Sequence, residues 1–224
     1  MSYYPIFVDM KGQGVLVVGG GAVAERKIKN LLTHDCQVYI ASPQLTDYLK
    51  ELVVHNEIRH IDPASLDESL DKVFMVIAAT DDSTLNSRIA SKAKARGILV
   101  NSVDQPRDCS FIMPSIVKAG DLQIAISTAG KSPALAKKIR GELERTFGPE
   151  YASFIELLGL LRRELLAEGR PSSDNKIIFQ RLVDSPLLEL IKEGNIEAVR
   201  NTLASILGGN VPTEGIVNQV FSGT

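Results

Sequence analysis

Apolar and polar positions in the first hundred residues alternate between two kinds of segment. Short runs at 15–18, 37–40, 57–61, 73–78 and 98–100 read as strands. Longer mixed stretches near 22–32, 43–54 and 83–96 read as helices between them. Strand and helix in this order predict an α/β fold, a Rossmann-type doubly wound parallel sheet, because each parallel strand needs a crossover. The run Val73 to Ala79 is wholly apolar, as expected of a central strand buried on both faces. After residue 105 the pattern changes. Phe111–Val117 and Leu122–Ser127 read as two strands joined by a tight turn at 119–121. A helix is predicted from Ala134 to about Phe147, with Ser132 as N-cap and Pro133 as first helical residue, ending at Gly148-Pro149. Residues 150–208 read as several Leu- and Ile-rich helices, broken at 171–175 and at Ser185-Pro186, and the tail beyond Gly208 as loop or frayed end.

Composition narrows the classes. The chain has 224 residues and is 44% hydrophobic, enough for a sizeable core. A net charge of −2 predicts no global attraction to nucleic acid or to an anionic membrane. No stretch supplies the roughly 20 apolar residues of a membrane span, and the start carries no signal-peptide pattern. Cys36 and Cys109 are far apart and form no CxxC, which suits a reducing cytoplasm and small buried side chains better than a disulfide. With three histidines (34, 55 and 60) and two cysteines, no Cys/His metal site is expected.

The richest motif is Gly19-x-Gly21-x-x-Ala24, placed between the first strand and the first helix. This spacing is a dinucleotide fingerprint. Gly19 permits the tight turn, Gly21 lets a pyrophosphate approach the backbone, and Ala24 allows close helix–strand packing. Free amides at the helix start, at Ala22 and Val23, would hold the phosphates. After the second strand comes Ser42-Pro43-Gln44. Ser42 can bond a ribose hydroxyl, but no acid stands there to select NAD and no cation adjoins it to select NADP. After the fourth strand, Thr80 and Asp81 are expected beside the cofactor, while Asp82 or Ser83 caps the next helix. The segment 105–140 carries six cations against two acids, a surplus of +4 in a chain of −2. It reads either as a solvated helix face, to which Lys137 and Lys138 would belong, or as a site for a polyanion held by Lys131 and the helix start at Ser132.

Taken together, these motifs resemble the precorrin-2 dehydrogenase family, the module of sirohaem synthases. The likeness runs through Tyr4-Pro5-Ile6-Phe7, Gly19-Gly20-Gly21-x-Val23-Ala24-x-Arg26-Lys27 and Ala78-Ala79-Thr80-Asp81-Asp82-x-x-x-Asn86. It continues in Val100-Asn101-x-Val103-Asp104, Ser110-Phe111-Ile112-Met113-Pro114 and Ile126-Ser127-Thr128-x-Gly130-Lys131-Ser132-Pro133. The resemblance implies an NAD-binding domain over 1–113, a small dimerisation region over 114–149 and a helical C-terminal domain over 150–224. It implies a cytoplasmic homodimer that passes a hydride from precorrin-2, a tetrapyrrole with many carboxylates, to NAD, giving sirohydrochlorin. Asp104 matches the family's catalytic acid–base position, and Asn101, Lys131 and Ser132 are the expected substrate contacts, Asn101 as a structural or cofactor-contacting amide rather than a catalyst. Some members also insert iron; no histidine follows His60, which weighs against that activity here. The chain is expected to end before the methyltransferase domain that fused sirohaem synthases add. The rival class is a non-catalytic NAD-sensing module, which would account for the first hundred residues but not for the segments at 110–117 and 127–133. An oxidoreductase with a different small substrate is the other alternative.

Overall fold

The computed structural model describes residues 3–103, 105–208 and 211–221. It divides into two compact units, Met1–Met113 and Pro114–Thr224.

The first unit is a parallel sheet with helices on both faces. In chain order it runs β1 (Gly14–Val18), α1 (Ala22–Leu31), β2 (Gln37–Ala41), α2 (Asp47–Val54), β3 (Arg59–Ile61), α3 (Leu66–Leu70), β4 (Met75–Ala78), α4 (Ser83–Ala95) and β5 (Leu99–Ser102). Strand order is β3-β2-β1-β4-β5, all neighbours parallel. The order therefore reverses between β1 and β4, and ligands of open α/β sheets bind at that switch point, outside the carboxyl ends of the strands. Alternation along β1 divides the core. Val15 and Val17 pack with Ala24, Ile28 and Leu31 of α1 and with Leu49 and Leu52 of α2. Leu16 and Val18 pack on the other face with Leu70 of α3 and with Ile89, Ala90 and Ala93 of α4. Each fully buried Val, Leu or Ile among these stabilises the sheet by about 1.5–3 kcal/mol.

The second unit opens with a hairpin, β6 (Ser115–Ala119) and β7 (Leu122–Ile126), followed by α5 (Pro133–Thr146), α6 (Glu150–Ala167), α7 (Ser172–Val183), α8 (Leu187–Lys192), α9 (Ile196–Leu207) and α10 (Thr213–Phe221). Its core gathers Leu157, Leu161 and Leu165 of α6 with Leu182, Leu187, Val199 and Leu203. Among the described residues no helix is long and apolar enough to cross a membrane.

Three expectations need correction. The tail beyond 208 is not only loop: α10 buries Ile216 and Val217 in the helical core, against α6 and α9. Packing of that apolar face overrides the Gly, Asn, Pro and Thr around it. The connection from β3 to β4 contains α3, a five-residue helix too short to show a period. The first hairpin strand begins at Ser115, not Phe111. Residues 109–111 instead cover the free edge of β5, where the amides of Ser110 and Val100 donate respectively to the Val100 carbonyl and to Ser110 Oγ, both at 2.8 Å. An edge so covered no longer offers a pairing surface.

The hairpin turn Gly120-Asp121 has glycine first, as type II′ turns do. Gly120 sits at φ +58°, and a Cβ there would lie 2.7 Å from Ala152 Cβ of α6. Gly120→Ala is expected to lower stability by about 2 kcal/mol, from left-handed strain and overpacking together. Urea unfolding should show a lower midpoint; an unchanged midpoint would mean that the turn does not press on α6.

Candidate dinucleotide site

Three loops meet above the carboxyl ends of β1, β2 and β4, and the first is built from glycine for steric reasons. Gly19 has φ +117°, and a Cβ on it would stand 2.2 Å from the Ala79 carbonyl oxygen. A Cβ on Gly20 would stand 2.0 Å from the Gln44 carbonyl oxygen. The backbone ties the loops further: Gly19 N–H donates to Ala41 O (2.9 Å), Thr46 N–H to Gly20 O (3.1 Å) and Ala79 N–H to Val18 O (2.7 Å). Gly21 differs. A Cβ there would meet nothing within 4 Å, so the space in front of it is open.

Gly21 is also the N-cap of α1, and no side chain caps that helix. The neighbouring helices are closed differently: Thr46 Oγ1 accepts from Leu49 N–H at the start of α2, and Asp82 Oδ1 accepts from Thr84 and Leu85 N–H at the start of α4. The amides at Ala22 and Val23, both exposed, thus open the one helix in this unit whose eight or more residues start at a glycine turn. An amino end of this kind, with close backbone approach permitted by Gly21, fits a pyrophosphate. The nearby carboxylate is tied down: Glu25 accepts from Lys29 Nζ and, at 2.7 Å, from Thr46 Oγ1. Those hydrogen bonds, Lys29 first and then Thr46, hold its carboxyl below the usual range.

A cleft of about 410 Å³ lies beside the glycine turn, with Gly19, Ser42 and Pro43 on its rim and Leu85 and Ile89 of α4 in its wall. Its size suits a small-molecule site. Ser42 is buried, and its hydroxyl donates to the Gln44 carbonyl at 2.7 Å. His60 Nε2 donates to the Ser42 carbonyl at 2.8 Å. The serine thus shapes its own loop, and Gln44, whose carbonyl it holds, is the residue that crowds Gly20. Thr80 is held by the buried Asn86. Asn86 Oδ1 accepts from Thr80 N–H (3.2 Å) and Oγ1 (2.8 Å), and its Nδ2 donates to Thr80 O (2.8 Å). Asp81 beside it is exposed.

Gly19, Gly21, Ala22, Val23, Ser42, Pro43, Gln44, Thr80 and Asp81 therefore stand around one sheet edge. Asn101 lies in β5, where its Nδ2 donates to the Phe111 carbonyl at 3.2 Å, which is structural work. Lys131 and Ser132 belong to the second unit, with Ser132 Oγ accepting from Leu135 N–H at the start of α5. Asp104 lies outside the described residues. The residues on either side of it are pinned at the sheet edge, Val103 N–H donating to Ala78 O (2.9 Å) and Gln105 Nε2 to Ser83 O (3.2 Å). Gly20 and Asn86 carry no expected site role in the sequence, where only the triple glycine and the Thr80-to-Asn86 spacing mark them. Among the described residues no group of three or more His, Cys, Asp or Glu is placed to hold a metal ion. A larger cavity of about 740 Å³, between α7 and α9, contains none of the expected site residues.

Fold and cradle together define a dinucleotide-binding domain followed by a hairpin and a helical unit. Comparison with known proteins agrees. Residues 6–115 match the family model described as "Putative NAD(P)-binding", and residues 119–146 match "Sirohaem biosynthesis protein central". A sirohaem synthase of Thioalkalivibrio sulfidiphilus is 34% identical over 221 residues, covering 99% of this chain and 45% of that protein. The sirohaem synthase of Photorhabdus laumondii is 36% identical over 203 residues, covering 91% and 43%. The solved structure of SirC, a precorrin-2 dehydrogenase, superposes with a TM-score of 0.75 at 27% identity, covering 91% of this chain and 98% of SirC. Over almost its whole length the chain is thus similar to sirohaem synthases and to SirC, in line with the family its motifs resemble. It spans about half the length of the curated relatives it matches.

The open space at Gly21 gives a sharp test. Gly21→Asp is expected to abolish dinucleotide binding in calorimetry, because a carboxylate would occupy the position of the pyrophosphate. The same variant should keep its melting temperature or gain slightly, since aspartate is at least as good an N-cap as glycine. Unchanged affinity would remove the phosphate cradle from this turn.

Proposed function

We propose that the chain oxidises precorrin-2 to sirohydrochlorin, using NAD as the hydride acceptor. The observation that carries this reading is one of extent. The chain is similar to 98% of the SirC dehydrogenase but to only about half of each sirohaem synthase, so what all three share has the length of the dehydrogenase. The match at 119–146 to the sirohaem central family further supports an enzyme over an NAD-sensing module, which has no use for that segment.

Each residue then has a task. The amides at Ala22 and Val23 bind the pyrophosphate, with Gly21 leaving room for it. Ser42-Pro43-Gln44 and Thr80-Asp81 border the cofactor on either side, Thr80 being kept in place by Asn86. When bound, NAD supplies the hydride acceptor. Asp104 takes the proton released as the hydride leaves. Lys131 and the amino end of α5 at Ser132 bind substrate carboxylates, Lys131 being exposed there. Lys138 and Arg140 are engaged along the helix with Glu142 and Glu144, so part of the positive segment is a solvated face. Asn101 supports the site through the 109–111 segment rather than by touching substrate.

The active form is a homodimer joined through residues 114–147. Of the fourteen residues of α5 only Ala136 is buried within the chain, while Leu135 and Ile116 of β6 are exposed. A two-stranded hairpin is marginal alone in water, and a second copy would cover both. Free thiols at Cys36 and Cys109 suit the cytoplasm. Sedimentation at micromolar concentration should give the dimer mass; a monomer would reject this assignment.

Mixing the protein with precorrin-2 and NAD should produce NADH absorbance, whereas a sensor would bind NAD and produce none. Asp104→Ala is expected to slow single-turnover NADH formation by about 10²–10⁴-fold while NAD still binds. Lys131→Ala should chiefly raise the precorrin-2 concentration needed for saturation. Wild-type turnover by Asp104→Ala would make Asp104 structural, with Asp81 the next carboxylate to test.

A further inference from the structure

We propose that Arg88 of α4 fits the cleft for a phosphate on the 2′ position of the adenosine ribose, so that the chain takes NADP as well as NAD. The inference rests on the dinucleotide reading above. Along the sequence, no charged residue adjoins Ser42. In the folded chain Asp67 of α3 and Arg88 and Lys92 of α4 line the same cleft as Ser42 and Pro43. Enzymes that select NAD set a free carboxylate at the ribose, which bonds the hydroxyls and repels a 2′-phosphate. Among the described residues of this lining Asp67 is the one carboxylate, and it is not free: both its oxygens accept from Lys92 Nζ at 2.6 Å. The hydrogen bond from Lys92, and then the charges of Lys92, Arg96 and Arg88, outweigh burial and hold its carboxyl below the usual range. Asp67 and Lys92 thus cancel, and Arg88 is left over. It is exposed and forms no hydrogen bond or ion pair among the described residues. Its fork of donors matches a phosphate better than a neutral ribose hydroxyl. The described residues of the cleft carry one net positive charge, and none of them presents an unpaired carboxylate to a 2′-phosphate.

The test is direct binding of NAD and of NADP to the full chain by calorimetry, at about 150 mM salt so that screening is physiological. Wild type should bind the two within about tenfold of each other. Arg88→Glu should lose about tenfold or more in NADP affinity beyond whatever it loses for NAD, since it replaces a charge-assisted contact by repulsion. Lys92→Met, which leaves Asp67 unpaired in the cleft, should shift the ratio the same way. If Arg88→Glu does not fold, Arg88→Gln gives the same comparison with a smaller shift. An NADP-to-NAD ratio unchanged in the folded Arg88 variant overturns the inference. So does a wild type that binds NAD but rejects NADP by about a thousandfold. A wild type that binds neither overturns the dinucleotide reading itself, and this inference with it.

Discussion

The first unit depends on one steric constraint, the passage of the chain between two carbonyl groups as it leaves β1. At Gly19 the Ala79 carbonyl, and at Gly20 the Gln44 carbonyl, occupy the space a side chain would take. Because neither residue has one, the loops after β2 and β4 close on the turn from both sides. Hydrogen bonds from Gly19 to Ala41 and from Thr46 to Gly20 then lock the approach. The same turn delivers the uncapped amino end of α1 into open space at Gly21. Tight loop packing and an open, uncapped helix start are thus two results of one short glycine run, at the point where strand order reverses between β1 and β4.

Around that turn the polar residues divide between shaping the site and facing it. Asn86 turns both ends of its amide to Thr80, and Ser42 gives its hydroxyl to Gln44. Buried polar groups are normally satisfied in this way, since an unpaired one costs about 1–3 kcal/mol. The consequence is a rim whose backbone is fixed before any ligand arrives, which lowers the ordering cost of binding. Glu25, the one acid in the first turn of α1, is held by Lys29 and Thr46 and so does not stand as a bare anion beside the open helix start.

The second unit has a different economy. Its helical core is large and apolar, drawing on α6 through α10. The hairpin and α5 before it are thinly buried, with β7 showing no fully buried residue. A segment that buries so little of its own apolar surface is consistent with association as part of its folding, the premise of the proposed dimer.

Much of the fold was readable from local pattern. The central strands β1 and β4 appear close to their expected places because a parallel strand buried on both faces is a continuous apolar run, as in Met75–Ala78. The fingerprint at Gly19, Gly21 and Ala24, the Ser132-Pro133 helix start and the Asp82 cap were readable for the same reason, since each acts within a few residues of itself. The motifs along the chain also resembled the sirohaem family that the comparisons match. What sequence could not show depends on contacts between distant segments. The helix at 213–221 exists because α6 and α9 give its apolar face a surface to cover. Gly20 matters because Gln44 crosses it, and Asn86 because Thr80 lies within its reach. Adjacent to Ser42 the chain has no charge at all, yet the cleft is positive, because α3 and α4 bring Asp67, Arg88 and Lys92 to it from residues 25 to 50 positions away. Periodicity and capping are local and can be read along the chain; the charge of a cavity is a sum over whatever the fold brings to its walls.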